Sequence, residues 1–117
     1  MLKNYLSQRR KNMSFEDYKL PGKCDVCGKE TDIVVCASSM GPISYGYCKE
    51  CLNKRLEPYS AMVAYISCAG RFPDDINEYY QRHCRNILKG LNVSEEQFIK
   101  DVDEAIKEMH EYFSQQV

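Results

Sequence analysis

Two pairs of cysteines, Cys24 with Cys27 and Cys48 with Cys51, each enclose two residues, and twenty residues from Gly28 to Tyr47 separate the pairs. This spacing lies at the edge of the C-x2-C-x15–20-C-x2-C pattern that holds zinc. Two thiolates three positions apart in a tight turn can face one point at Zn–S distances of about 2.3 Å. Gly28 follows the first pair, where such a turn can need positive φ. The second pair opens a helical pattern, and backbone N–H groups at a helix start favour a thiolate. Four thiolates close a tetrahedral site with no open position, so the expected cofactor is one structural Zn2+ per chain, held by Cys24, Cys27, Cys48 and Cys51.

The chain has seven cysteines in 117 residues, an odd number that cannot pair completely. The start, "MLKNYLSQRRKN", is basic with no apolar run behind it and does not read as a secretory signal. No run of about 18 apolar residues is present, so no membrane helix is expected. A cytoplasmic setting with reduced thiols follows, which favours metal over disulfides. A thioredoxin-like redox pair would need a βαβ context that the pattern lacks. Cys36, Cys68 and Cys84 lack knuckle spacing and read as small buried hydrophobes.

Residues 2–11 read either as a short basic helix through Leu2, Tyr5 and Leu6 or as a frayed end. Ser14 then caps one or two helical turns, with Met13 and Tyr18 as a hydrophobic staple, stopped at Leu20-Pro21-Gly22. "TDIVVCASS" and "ISYGY" read as two strands of a β-hairpin between the cysteine pairs, turned by "SMGP". From Cys48 the period becomes helical through Leu52, Leu56, Tyr59, Val63 and Ile66. Pro58 falls within that stripe, so the pattern predicts one kinked helix or two helices broken near Glu57-Pro58. "YSAMVAYISCA" is apolar almost all round and predicts a buried helix, ended by Gly70. A further helix is expected from "FPDD", with Asp74 or Asp75 at its start, Ile76, Tyr80, His83 and Ile87 inward, and Gly90 closing it. Ser94 and Gln97 form a capping box for the last helix, with Val93 stapled to Phe98. Its inward face carries Phe98, Val102, Ala105, Met109 and Tyr112, and its other face is acidic.

Knuckle, hairpin and a helix whose first turn holds the second cysteine pair together resemble a treble-clef zinc finger over residues 21–57. The stretch "KCDVCGKETDIVVCASSMGPISYGYCKECLNKRLEPY" also resembles small zinc-binding proteins carried by bacteria and their phages. The resemblance implies a metal role for the same four cysteines, and it transfers no activity. The expected fold is α+β: one domain, with a treble-clef knuckle and hairpin at 21–57 and three or four helices at 58–117 packed on it.

Treble-clef nucleases need histidines on the hairpin, and this hairpin has none. The H-x-E and P-C-x-x-C elements of a zinc deaminase are missing, as are a Walker loop, a G-x-G-x-x-G and a nucleophile elbow. The expectation is therefore not an enzyme but a zinc-stabilised binding module for another protein, in the phage setting a modulator of a host factor. The loop residues Ser38, Ser39, Gly41 and Ser44 could meet a partner or capture a nucleotide, or they could simply turn the chain. Arg9, Arg10 and Lys11 are candidate basic contacts; Lys49, Lys54 and Arg55, then Arg82, Arg85 and Lys89, form two further groups. If these converge, nucleic acid becomes an alternative partner, although the formal net charge of -1 gives no global basic field. The acidic last helix could instead cover the basic stretch, or pair with a second copy in a homodimer.

Overall fold

A computed structural model describes residues 14–115. The basic stretch with Arg9, Arg10 and Lys11, and the Met13 end of the first staple, lie outside the described residues. The chain runs α1 (Phe15–Tyr18), β1 (Leu20–Lys23), β2 (Glu30–Ala37), β3 (Ser44–Cys48), α2 (Lys49–Asn53), α3 (Tyr59–Ala69), α4 (Glu78–Leu91) and α5 (Glu95–Gln115). It is an α+β fold with a three-stranded antiparallel sheet in the order β1-β2-β3.

The hairpin forms between the cysteine pairs, in register from Ala37↔Ser44 to Ile33↔Cys48. The strand β1 was not anticipated, because Leu20-Pro21-Gly22 reads as a stop. It pairs from Leu20↔Ile33 to Lys23↔Glu30 at the sheet edge, where a proline without an N–H is tolerated. Gly22 and Gly46 flank the buried Ile33 on the two neighbouring strands. A Cβ on Gly22 would lie 2.6 Å from Ile33 Cδ1, and one on Gly46 2.5 Å from the same atom. The isoleucine thus lies flat on both strands and leaves its tip no free side to move toward. Gly46→Ala is expected to cost about 1–3 kcal/mol in chemical denaturation. Adding Ile33→Val, which removes Cδ1, should return part of that loss; strictly additive effects of the two changes would contradict the wedge.

The break near Pro58 gives two helices. Arg55 takes a left-handed conformation, φ 57°, after α2. Pro58 stands just before α3, where its missing N–H removes no helical bond. The helix α3 is not buried all round: Ala61, Met62, Ile66 and Ser67 are buried, while Ser60, Ala64, Cys68 and Ala69 are exposed. Its exposed side is made of small residues, which explains why it reads as apolar while losing little by facing water. Tyr59 anchors it to α5, donating to Asp101 Oδ2 at 2.5 Å and meeting Phe98 edge to face at 6.1 Å.

The next helix starts later than its sequence suggests. Asp75 accepts from the Arg71 N–H at 2.9 Å within a turn, and Asn77 caps α4 by accepting from the Tyr80 N–H at 2.9 Å. Gly90 does not close it; the helix runs to Leu91 and ends on Asn92 at φ 59°. Glycine at 90 instead makes room for Leu56, whose Cδ2 would lie 2.4 Å from a Cβ there. On α4 the buried side chains are Cys84, Ile87 and Leu88, with Tyr80 and His83 half-buried beside them. At the start of α5, Ser94 Oγ accepts from the Gln97 N–H at 3.1 Å, but the Gln97 amide reaches forward to Asp101 rather than back. Tyr112 is 59% exposed instead of inward.

Two apolar clusters result. One, among α3, α4 and α5, centres on Met62, Ile66, Phe98 and Val102; the other holds Cys24, Ile33, Cys48, Cys51 and Leu56. Leu91 packs against both.

Candidate metal centre

The first knuckle is closed by its own backbone. The Cys24 N–H donates to the Lys29 carbonyl at 2.9 Å, and the Gly28 N–H donates back to the Cys24 carbonyl at 2.9 Å. Gly28 has φ 76°, the conformation expected for a glycine in this turn. Asp25 ties the knuckle to β3: its N–H donates to the Gly46 carbonyl at 2.8 Å, and its carboxylate accepts from the Gly46 N–H at 2.7 Å. Cys48 ends β3 at the cap position of α2, and Cys51 lies inside that helix.

These elements bring the four sulfurs within 4.8 Å of one another, with Cys27 Sγ 3.9 Å from Cys48 Sγ. A tetrahedral ion with Zn–S bonds of about 2.3 Å would set its sulfurs roughly 3.8 Å apart. Cys24, Cys48 and Cys51 are buried, and Cys27 is exposed. Burial works against ionising Cys24, but the N–H groups of Cys27, Cys48 and Val26 aimed at its sulfur outweigh this and bring its thiol down to about 7. Burial, with the Cys48 and Cys24 sulfurs alongside, pushes the Cys51 thiol well up. One thiolate is thus favoured, and the next is opposed by the first. Four together need a cation between them, and a closed set of soft sulfur donors suits zinc. The residues present fit a single structural zinc ion, with Cys24, Cys27, Cys48 and Cys51 as its ligands.

Cys84 is fully buried, and burial raises its thiol to about 11. Cys36 is half-buried. Cys68 was expected inside and is exposed, because its face of α3 carries small residues toward solvent. Among the described residues, the four knuckle cysteines form the one group of three or more metal-binding side chains.

The hairpin loop is built differently from its sequence. Met40 is 2% exposed and inserts into the helical cluster. Glu57, read only as a neighbour of Pro58, is 4% exposed and organises the loop from beneath. Its carboxylate accepts from Ser38 Oγ at 3.1 Å, from the Ser39 N–H at 3.3 Å and from the Tyr47 hydroxyl. Burial and the Glu57 carboxylate raise the Tyr47 phenol far above its ordinary value, so it stays a donor. Ser38 Oγ also accepts from the Met40 N–H at 2.9 Å, and Ser39 Oγ lies 2.8 Å from His83 Nε2. Ser38 and the Ser39 amide are therefore engaged within the protein, above a carboxylate that would repel a phosphate. Gly41, at φ 122°, sits over Tyr65, where a Cβ would come within 3.0 Å of the ring. Pro42, Ile43 and Ser44 are exposed.

Three of the basic side chains singled out in the sequence are held in ion pairs. Lys49 pairs with Glu16 at 3.3 Å, Lys54 with Glu50 at 3.0 Å and Arg85 with Glu95 at 2.5 Å. Among the described residues, no helix is long and apolar enough to cross a membrane.

Compared with known proteins, the chain matches no family model, no curated protein and no solved structure. Its class therefore rests on its own geometry. It is an α+β protein with four clustered cysteines placed to bind one metal ion, consistent with a zinc site.

Proposed function

We propose that this is a zinc-stabilised, non-catalytic module of treble-clef type that binds another protein. The observation that carries the reading is the closed set of four thiols, which builds structure and leaves no coordination position for a substrate. The exposed apolar side chains support a protein partner over a nucleic acid: Ile43 at the loop tip is 51% exposed and Val35 on β2 is 55% exposed. The ion pairs of Lys49, Lys54 and Arg85 weaken any phosphate-binding surface among the described residues. The resemblance to phage-borne proteins suggests a host factor as the partner.

Ile43 is a better probe than Gly41, whose backbone conformation and contact with Tyr65 make any substitution a folding change. In a pull-down from host cells, Ile43→Asp is expected to lose the captured protein while keeping the wild-type melting curve. Arg9→Glu with Arg10→Glu should slow association and reduce its salt dependence. Duplex DNA or RNA bound at micromolar affinity, and released steeply by salt, would replace this reading with the nucleic-acid one.

A further inference from the structure

Cys27 stands apart from the other three sulfur ligands. Cys24, Cys48 and Cys51 are no more than 6% exposed, whereas Cys27 is exposed. Two surface depressions, of about 330 and 320 Å³, meet at Cys27. One carries Lys29 and Lys49 and reaches Cys48; the other carries Lys54 and reaches Cys51. Lys29 is in none of the ion pairs among the described residues, and it lines the first depression with Cys27, where its charge also acts on Glu50. Small polar reagents can therefore reach one ligand of an otherwise covered site, beside a cation that favours an anionic leaving group.

Resting on the zinc reading, we propose that Cys27 is an oxidation site: a peroxide attacks there first, Cys48 closes a disulfide with it, and the metal is released. In the first step the Cys27 thiolate electron pair attacks one peroxide oxygen. The O–O bond breaks and hydroxide leaves, so sulfur is oxidised by two electrons to the sulfenic acid as the peroxide is reduced. In the second, the Cys48 thiolate, 3.9 Å away, attacks the Cys27 sulfur. The S–O bond breaks, a second hydroxide leaves and an S–S bond forms. Two thiolates and one hydrogen peroxide thus become one disulfide and two hydroxides, which take up protons as water. Only Cys24 and Cys51 then remain as ligands, too few for a closed site.

The experiment uses zinc-loaded full chain, limiting hydrogen peroxide, a colorimetric zinc chelator and peptide mapping after thiol alkylation. Zinc should appear together with a Cys27–Cys48 disulfide in the first oxidised fraction. Cys27→His keeps a Cys3His donor set and should slow zinc release several-fold, while Cys68→Ser, which changes the other exposed thiol outside the site, should leave the rate unchanged. Release from Cys27→His at the wild-type rate, or Cys27 still reduced once zinc has left the wild type, overturns the proposal. If Cys27→His takes up no zinc, the wild-type peptide map decides alone. A starting protein without zinc would sink the metal reading itself; zinc-loaded protein whose Cys27 resists peroxide sinks this inference only.

Discussion

Protein purified under reducing conditions should contain one zinc ion per chain, and stripping it with a strong chelator should unfold the sheet and α2. The expected effect is the largest any single change can produce here, because apparent binding free energies for structural zinc in small domains are about 10–16 kcal/mol and act as folding free energy. Cys24, Cys48 and Cys51 belong to the smaller apolar cluster, so without the metal that cluster has three thiols where a core needs hydrocarbon. Cys51→Ser should behave like chelation. The helical cluster is built from separate residues, so α3, α4 and α5 should keep much of their helicity by circular dichroism. Replacing Cys36, Cys68 or Cys84 with alanine should leave zinc stoichiometry at one. Metal-free protein with undiminished hydrogen-exchange protection across β2 and β3 would refute the assignment.

The second large effect is expected at Glu57. Glu57→Ala leaves the buried Tyr47 hydroxyl, Ser38 Oγ and the Ser39 N–H without their acceptor. An unsatisfied buried group such as the Tyr47 hydroxyl costs about 1–3 kcal/mol, and with the part-buried Ser38 and Ser39 bonds lost as well a loss of about 3 kcal/mol is expected in denaturant unfolding. Glu57→Gln keeps one acceptor oxygen and should lose less. Tyr47→Phe removes one donor and leaves the serines bonded, so it should be milder than either. A Glu57→Ala protein with wild-type stability would show that the carboxylate is not what holds the loop.

The parts legible in the sequence were those with a local code. The knuckles follow from cysteine spacing, the hairpin from a β-branched run between the cysteine pairs, and the break after α2 from Pro58. The cap at Ser94 was readable because its partner is three residues away. What escaped is long-range. The strand β1 was hidden because "LPGK" has turn chemistry, and only Ile33, ten or more residues later, explains why a glycine belongs there. Gly90 looked like a helix stop but is a notch for Leu56. Glu57 was legible only as a neighbour of Pro58, since its hydroxyl partners Ser38 and Tyr47 lie nineteen and ten residues upstream. The loop serines were noticed for their donors, but what those donors meet is decided by the helices folded beneath them.

Met40 gives the hairpin an unusual constraint on its length. Hairpin turns are ordinarily where a chain accepts insertions and where relatives differ in loop size. Here the turn carries a side chain that completes the core of a different layer. Moving Met40 by one residue would withdraw it from the helical cluster and turn the Ser38 and Ser39 contacts away from Glu57. Tags, labels or grafted peptides are therefore best accommodated after Pro42, where the chain is exposed, while residues 38–41 should accept neither insertion nor deletion.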